Sequence, residues 1–234
     1  DCIFNNNYVS SGWAGGSVRI ESDATVRNCT FQNNSQAMYI RGGSSNITNC
    51  TFQNNSTNSS TGRPAIWNNY GSPQITNCTF DNNEAVNGGA IYIDSSAPII
   101  TNCIFTNNRS EGGGAIRFVF NNTALITDCI FDNNSSDWGQ NGKGGALWFQ
   151  QFTDASDFQF NNCIFKNNTS KFNGGIAYIA GSSSNEDENI TFTNCQFYDN
   201  IAGTYGAGYG QGGVIYSSHE KFKLINCTLT NNSD

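Results

Sequence analysis

The chain has 234 residues and a formal net charge of −7, and it contains 37 Asn and 25 Gly while charged residues make up only 12%. Asn and Gly are unfavourable in helix interiors and suit tight turns, so the composition excludes a mainly helical protein. The acidic balance disfavours nucleic acid as a partner. There is no apolar run of 18 residues, so we expect no membrane insertion by this segment.

One short phrase, Asn/Asp-Cys-x-Phe, recurs along the whole chain at variable distance. The steps between its cysteines are 27, 21, 28, 25, 26, 34, 32 and 32 residues. Such periods are typical of solenoids, in which each repeat buries its apolar face on its neighbours. A constant phrase with variable spacing indicates that each repeat contains the same structural element and that the connecting loops differ in length. The nine cysteines are Cys2, Cys29, Cys50, Cys78, Cys103, Cys129, Cys163, Cys195 and Cys227.

Three short apolar segments can be recognised in each repeat, in a fixed order. The first follows a Gly-Gly pair, as in Gly88-Gly-Ala-Ile-Tyr-Ile, where alternation directs Ile91 and Ile93 to one side and Tyr92 to the other. The second ends two residues before the Asn or Asp of the cysteine phrase, and the third is the Cys-x-Phe segment itself. Three inward-facing strands joined by Asn-rich corners predict an all-β fold, a parallel β-helix of about eight to nine coils.

The corner asparagines form two regular sets. The Asn or Asp before each cysteine suits a sharp bend, because Asn tolerates left-handed backbone. A second Asn lies three residues after each Phe. Coils of a parallel β-helix are about 4.8 Å apart, so each side-chain amide can bond the equivalent amide above and below it. We therefore predict two asparagine ladders. The second comprises Asn7, Asn34, Asn55, Asn83, Asn108, Asn134, Asn168, Asn200 and Asn232.

The cysteine column allows several interpretations. A metal site needs converging ligands such as Cys-x-x-Cys, which the sequence lacks, so we predict no metal and no cofactor. Disulfides between adjacent coils are conceivable at this spacing, but side chains in one parallel column point the same way. The favoured interpretation is a ladder of buried, unreactive thiols beside the Phe column.

The repeated phrases resemble a known group of surface proteins. Gly-Gly-Ala-Ile/Leu, found three times, and Phe-x-x-Asn, found eight times directly after a Cys-x pair, are similar to the repeats of the polymorphic outer membrane proteins of chlamydiae. The resemblance implies a right-handed β-helix and an adhesin role. The Asn-Cys-Thr-Phe coils also resemble pectin-lyase-like surface proteins of protists, so the resemblance implies architecture more firmly than source.

The residues that face outward from the Gly-Gly strands are the best functional lead. Exposed aromatic strips bind sugar rings or protein partners, whereas outward aromatic ladders can also simply stabilise a sheet, and a loop could cover them. No carboxylate lies in this column, and the lone His219 has no repeated partner. We therefore expect a binding strip rather than an active site. The strip comprises Arg19, Tyr39, Trp67, Tyr92, Arg117, Trp148, Tyr178 and Tyr216.

Seventeen Asn-x-Ser/Thr sequons occur in the chain. Loop sequons at Asn58, Asn121 and Asn189 could carry glycans if the source is eukaryotic. Those within the cysteine phrase are expected to be inaccessible at ladder corners. They are Asn28, Asn49, Asn77 and Asn226.

Two classes of function follow from the sequence. The first is a non-catalytic, extracellular or cell-surface stalk, filament or adhesin, with a glycan or a protein as partner or with end-to-end self-stacking. The alternative is a carbohydrate-active β-helix whose catalytic coils lie outside this segment. Both ends fall within a repeat, so we expect residues 1–234 to be one β-helix segment of a longer chain or an end-to-end assembly.

Overall fold

The computed structural model describes residues 1–8, 16–56, 62, 64–120, 122–139, 142–150, 156–180, 190–205, 210–218 and 221–234. All regular elements in these ranges are short β-strands, and every pairing between them is parallel. Neighbours in each sheet come from successive coils, which makes the molecule a parallel β-helix and confirms the predicted fold class. No helix in the described ranges is long and apolar enough to cross a membrane.

Three long sheets and one short sheet run along the stack, and each takes one strand from a coil. The Phe sheet contains Ile3–Asn5, Thr30–Gln32, Thr51–Gln53, Thr79–Asp81, Ile104–Thr106, Ile130–Asp132, Ile164–Lys166, Gln196–Tyr198 and Thr228–Thr230. The Gly-Gly sheet contains Val18–Ile20, Met38–Arg41, Ile66–Asn69, Ile91–Asp94, Ile116–Val119, Leu147–Gln150, Ala177–Ala180 and Ile215–Ser218. The third sheet contains Thr25–Arg27, Asn46–Thr48, Gln74–Thr76, Ile99–Thr101, Thr123–Thr127, Asp157–Asn161, Ile190–Thr193 and Lys223–Ile225. The short sheet contains Glu84–Ala85, Arg109–Ser110, Ser135–Ser136 and Thr169–Ser170.

The Phe sheet contributes a column of identical side chains to the core, because the register pairs equivalent residues of adjacent coils. Phe80, for example, pairs with Phe52 on one side and Phe105 on the other. Successive rings of the Phe sheet lie 4.5–5.2 Å apart at their centroids and 3–10° from parallel. The predicted Phe column is confirmed, and stacking of this kind adds about 0.5–1.5 kcal/mol per pair beyond burial.

The cysteines form the column beside the phenylalanines, and none of the nine takes part in a disulfide. The backbone N–H of Cys78 donates to Sγ of Cys103 at 3.4 Å, and the Cys78 thiol donates to the Thr76 carbonyl at 3.3 Å. Cys103 repeats both contacts one coil further on. The seven inner thiols are buried, as predicted. The thiols therefore form hydrogen bonds at the corner of the coil and also fill apolar space in the core.

The buried asparagine ladder is confirmed, and it is unusually complete. Oδ1 of Asn108 accepts from the backbone N–H and the side-chain amide of Asn83, at 3.1 and 2.9 Å. Nδ2 of Asn108 donates to the Phe80 carbonyl and to Oδ1 of Asn134, at 2.9 and 3.0 Å. Every hydrogen-bonding position of this buried amide is thus occupied, which is the condition for burying a polar group without a large penalty.

The asparagines before the cysteines have the predicted bend and form the predicted second ladder, but their side chains are not inaccessible as expected. Their backbone is left-handed, as at Asn77 and Asn102 with φ of 54° and 52°. Nδ2 of Asn102 donates to Oδ1 of Asn77 at 2.7 Å, so this second ladder exists. The expectation that its sequons are inaccessible was wrong, because the left-handed bend directs these side chains outward. Asn28, Asn49, Asn77 and Asn226 are all exposed.

Candidate functional site

The outward-facing residues of the Gly-Gly sheet form one continuous column, called here the aromatic column. Strand register brings together the eight residues that the sequence analysis assigned to it. In order they are Arg19, Tyr39, Trp67, Tyr92, Arg117, Trp148, Tyr178 and Tyr216. The alternation of inward and outward residues along short strands was sufficient to predict this alignment.

The aromatic rings in this column are not arranged as a flat strip. Trp67 meets the ring of Tyr39 at 87° and that of Tyr92 at 82°, with centroids 5.5 and 5.7 Å apart. Trp148 meets Tyr178 at 84°. Edge-to-face contacts place the positive edge of one ring on the negative face of the next. The resulting surface is uneven rather than flat, and these rings are already in contact with one another.

Burial divides the column into covered and open parts. Tyr39, Trp148 and Tyr178 are only 4, 6 and 9% exposed, so the expected exposed strip is not continuous. A Cβ at Gly112 would clash with the indole of Trp148, which shows that this backbone lies directly on the ring. Trp67 and Tyr92 are half-buried. Tyr216 is half-buried as well, so these three rings are the part of the aromatic column that keeps ring surface accessible to solvent.

Cations are packed against the aromatic faces of the column. The guanidinium of Arg117 lies 3.9 Å from the Trp148 ring centroid, and Nζ of Lys143 lies 4.7 Å from that of Tyr178. Arg117 also donates to Oδ1 of Asn87 and Oε1 of Gln150. Burial lowers the pKa of Arg117 to about 10, while the neighbouring Tyr92 acts in the opposite direction. These cation–π contacts join adjacent coils, and they are strongest where water is excluded.

Three N–H donors in the column have no hydrogen-bond partner within the described structure. They are the indole N–H groups of Trp67 and Trp148 and the Nε–H of Arg117. Buried donors are normally paired with protein or water, so these N–H groups are unusual. They distinguish the outer face of the Gly-Gly sheet from the fully bonded asparagine ladder.

One titratable residue near the column was not identified in the sequence. Asp94 lies two residues after Tyr92 on the same outward face, beside Asn69 in the preceding coil. Burial raises the pKa of Asp94, and the hydroxyl of Ser95, which donates to Oδ1 at 2.9 Å, partly offsets this. The alternation of inward and outward residues in Ile91–Asp94 already predicts that Asp94 faces outward with Tyr92. Asp94 was not assigned to the column because it lies at the end of the strand rather than in its middle. Asp94 has no second carboxylate partner in this set of strands.

The remaining sequence candidates have different outcomes. Asn58, Asn121 and Asn189, the proposed loop glycosylation sites, lie outside the described residues, as does His219. In the ranges that the structure describes, no three His, Cys, Asp or Glu side chains are grouped so that they could hold a metal ion. The aromatic column is therefore the candidate site that the structure brings together.

Comparison with known proteins agrees with this architecture. The family model described as a right handed beta helix region matches two overlapping stretches of the chain, residues 1–89 and 21–233. No curated protein matches the chain. No solved structure matches it either.

Proposed function

The chain belongs to the right-handed β-helix family, and we propose that it is a non-catalytic, extracellular or cell-surface region that acts as a rigid structural spacer. The observation that carries the proposal is the unbroken bonding between coils. Each Asn of the buried ladder from Asn7 to Asn200 donates to the Asn of the next coil. A solenoid joined in this way transmits load along its axis through every coil.

The aromatic column supports the same role. Its edge-to-face rings and its cation–π contacts connect successive coils on the outside of the Gly-Gly sheet, as the Phe column does on the inside. The low exposure of Tyr39 and Trp148 favours reinforcement over recognition at those positions. The column would then keep the sheet from bending, which a spacer requires.

Adhesion is the second candidate function, and one observation favours it. Trp67 and Tyr92 are adjacent, half-buried and close to the exposed end of the column at Arg19. Rings presented side by side on a stiff sheet bind sugars or protein partners at low entropic cost. The similarity of the Gly-Gly-Ala-Ile/Leu and Phe-x-x-Asn phrases to chlamydial adhesin repeats agrees with this role. A carbohydrate-active function would require catalytic coils beyond this segment.

A comparison of two variants separates these roles. Trp67→Ala and Trp148→Ala are each measured for thermal unfolding and for binding to a glycan array. For a spacer, we expect Trp148→Ala to lower the unfolding temperature clearly, Trp67→Ala to lower it less, and neither to change binding. Loss of a glycan signal in Trp67→Ala, with an unchanged signal in Trp148→Ala, would support adhesion. Release of reducing or unsaturated sugar ends by the segment alone would contradict both roles.

A further inference from the structure

The buried asparagine ladder contains residues that a glycosylating enzyme would recognise. Asn108-Arg-Ser110, Asn134-Ser-Ser136 and Asn168-Thr-Ser170 are Asn-x-Ser sequons, and Asn55-Ser-Thr57 is a fourth. All four asparagines are ladder members, with side chains between 0 and 1% exposed. The same residues are therefore acceptors of an oligosaccharide in the unfolded chain and part of the interior in the folded one.

The amide of Asn134 shows why a ladder asparagine cannot be both glycosylated and buried in the folded chain. Its Nδ2 uses both hydrogens, donating to the Phe105 carbonyl and to Oδ1 of Asn168, each at 3.0 Å. Its Oδ1 accepts two further bonds from Asn108. The amide of Asn168 is bonded in the same pattern. No hydrogen on either nitrogen is free.

N-glycosylation acts on this nitrogen. Nδ2 attacks C1 of an oligosaccharide carried on a lipid pyrophosphate, the C1–O bond to the pyrophosphate breaks, and the amide loses one proton. One ladder hydrogen bond is thereby removed. The attached sugar also needs space that a residue at 0% exposure does not have. Excluding the sugar from the core would require opening the coil, with the loss of buried Phe contacts on both sides.

Neighbouring sequons behave differently, and they provide an internal contrast. Asn133 and Asn167 each precede a ladder Asn and also begin sequons, but both are exposed. Nδ2 of Asn133 donates to Oδ1 of Asn107 at 2.8 Å, and Nδ2 of Asn167 donates to Oδ1 of Asp132 at 2.8 Å. A glycan at these positions would extend into solvent. Modification is therefore compatible with the fold at one Asn of each pair and incompatible at the next.

We infer that this chain folds only where the four ladder sequons are left unmodified, so that it is exported by a route without oligosaccharide transfer. The folding block follows from the ladder alone. The statement about export rests on the proposed extracellular function. The inference narrows the source of the protein, because it excludes passage through an N-glycosylating secretory pathway.

The ladder sequons can be removed without touching the ladder. Ser136 and Ser170 have buried hydroxyls with no hydrogen-bond partner among the described residues, so replacing them with Ala removes an unsatisfied group. Ala85 already occupies the position equivalent to Ser110 in the preceding coil. The hydroxyl of Ser110 accepts from the Gly112 N–H at 3.0 Å, and its loss should be tolerated in a stack with this many other bonds.

The experiment compares secretion of three forms from a eukaryotic host, with and without an inhibitor of lipid-linked oligosaccharide synthesis. The first is the wild type. The second carries Thr57→Ala, Ser110→Ala, Ser136→Ala and Ser170→Ala, which remove the ladder sequons. The third carries Thr48→Ala, Ser56→Ala, Ser135→Ala and Thr169→Ala, which remove the same number of sequons at the exposed residues Asn46, Asn54, Asn133 and Asn167. All three are also produced in a bacterial cytoplasm to verify equal unfolding temperatures.

We expect the wild type and the third form to be retained, and the second form to be secreted at least tenfold more. The inhibitor should restore secretion of the wild type, and peptide mass analysis should find glycans on ladder asparagines only in retained protein. Equal secretion of wild type and second form would overturn the inference, as would failure of the inhibitor to rescue the wild type. Neither result depends on the aromatic column, so failure of the proposed function remains distinguishable.

Discussion

The Phe sheet and the Gly-Gly sheet belong to the same coils, yet their side-chain columns differ in regularity. In the Phe sheet the rings stack within 10° of parallel from Phe4 to Phe197. In the Gly-Gly sheet the outward column mixes edge-to-face and stacked rings, contains two arginines and has indole N–H groups without a partner among the described residues. The Phe column keeps one side chain from Phe4 to Phe197, whereas the inward column of the Gly-Gly sheet changes from Asn68 to Ile93 to Phe118 in successive coils. Exterior columns tolerate variation, and this makes them the place where function can differ between coils.

The largest effect should come from breaking the buried ladder. Replacing Asn108 by Ala leaves the backbone N–H and the side-chain amide of Asn83 without an acceptor, and Oδ1 of Asn134 loses one of its donors. Each buried group left unsatisfied costs about 1–3 kcal/mol, so we expect the free energy of unfolding to fall by about 4–6 kcal/mol. Urea unfolding of purified Asn108→Ala measures this loss.

The matched control is its neighbour in the sequence. Asn107 also belongs to a side-chain ladder, but it is exposed, and water can replace its bond to Asp81. Asn107→Ala should cost less than about 1.5 kcal/mol, including the strain of Ala at a φ of 55°. Similar losses for Asn107→Ala and Asn108→Ala would show that burial does not determine the strength of the ladders.

The second prediction concerns the Phe column. Phe105 is fully buried and stacks between Phe80 and Phe131, with centroids 4.8 Å away on each side. Phe105→Ala should lower the free energy of unfolding by about 3–5 kcal/mol, because the stack cannot close around the cavity. Thr106→Ala, on the outward face of the same strand, should change it by less than about 0.5 kcal/mol. Urea unfolding tests both variants. A loss below about 2 kcal/mol for Phe105→Ala would mean that the neighbouring coils close around the cavity that the missing ring leaves.

These interior features were the ones that the sequence could predict. Phe105 and Asn108 are three residues apart in a phrase repeated in every coil, and in a parallel stack a repeated position becomes a column. The cover over Trp148 could not be predicted in the same way. It depends on Gly112, which sits in a different coil and bears no side chain to mark its contact. The outward direction of Asn77 was also missed, because it follows from the left-handed backbone rather than from alternation along a strand.

The third prediction sharpens the contrast within the aromatic column. Trp148→Ala should cost about 3 kcal/mol, since it removes a covered indole and its contacts with Arg117 and Tyr178. Trp148→Phe should cost less than about 1.5 kcal/mol, because the indole N–H that it removes has no partner in the described structure. Thermal unfolding of both variants is the measurement. A loss in Trp148→Phe as large as that in Trp148→Ala would show that the indole N–H, which both variants remove, has a partner in solution.

The fourth prediction is a dependence of stability on pH that arises from the thiol column. The neighbouring thiol in the next coil, together with burial, raises the pKa of Cys78 and of Cys103 to about 12 in the folded state. An unfolded thiol has a pKa of about 8.5. The folded chain therefore holds these protons more tightly. The resulting stability is fully present below pH 8.5 and decreases as the pH rises towards 12.

We expect the free energy of unfolding to decrease between pH 8.5 and 10.5 by more in the wild type than in Cys78→Ser/Cys103→Ser, because a serine hydroxyl does not titrate in this range. The double variant keeps a donor for the Thr76 and Thr101 carbonyls, so its stability at pH 7 serves as the reference. Urea unfolding at four pH values gives both slopes, and other titrating groups cancel in their difference. The same raised pKa values predict that Cys78 and Cys103 react with iodoacetamide at pH 8 only after unfolding. Equal slopes, or rapid alkylation of the folded protein, would show that the thiol column is open to solvent.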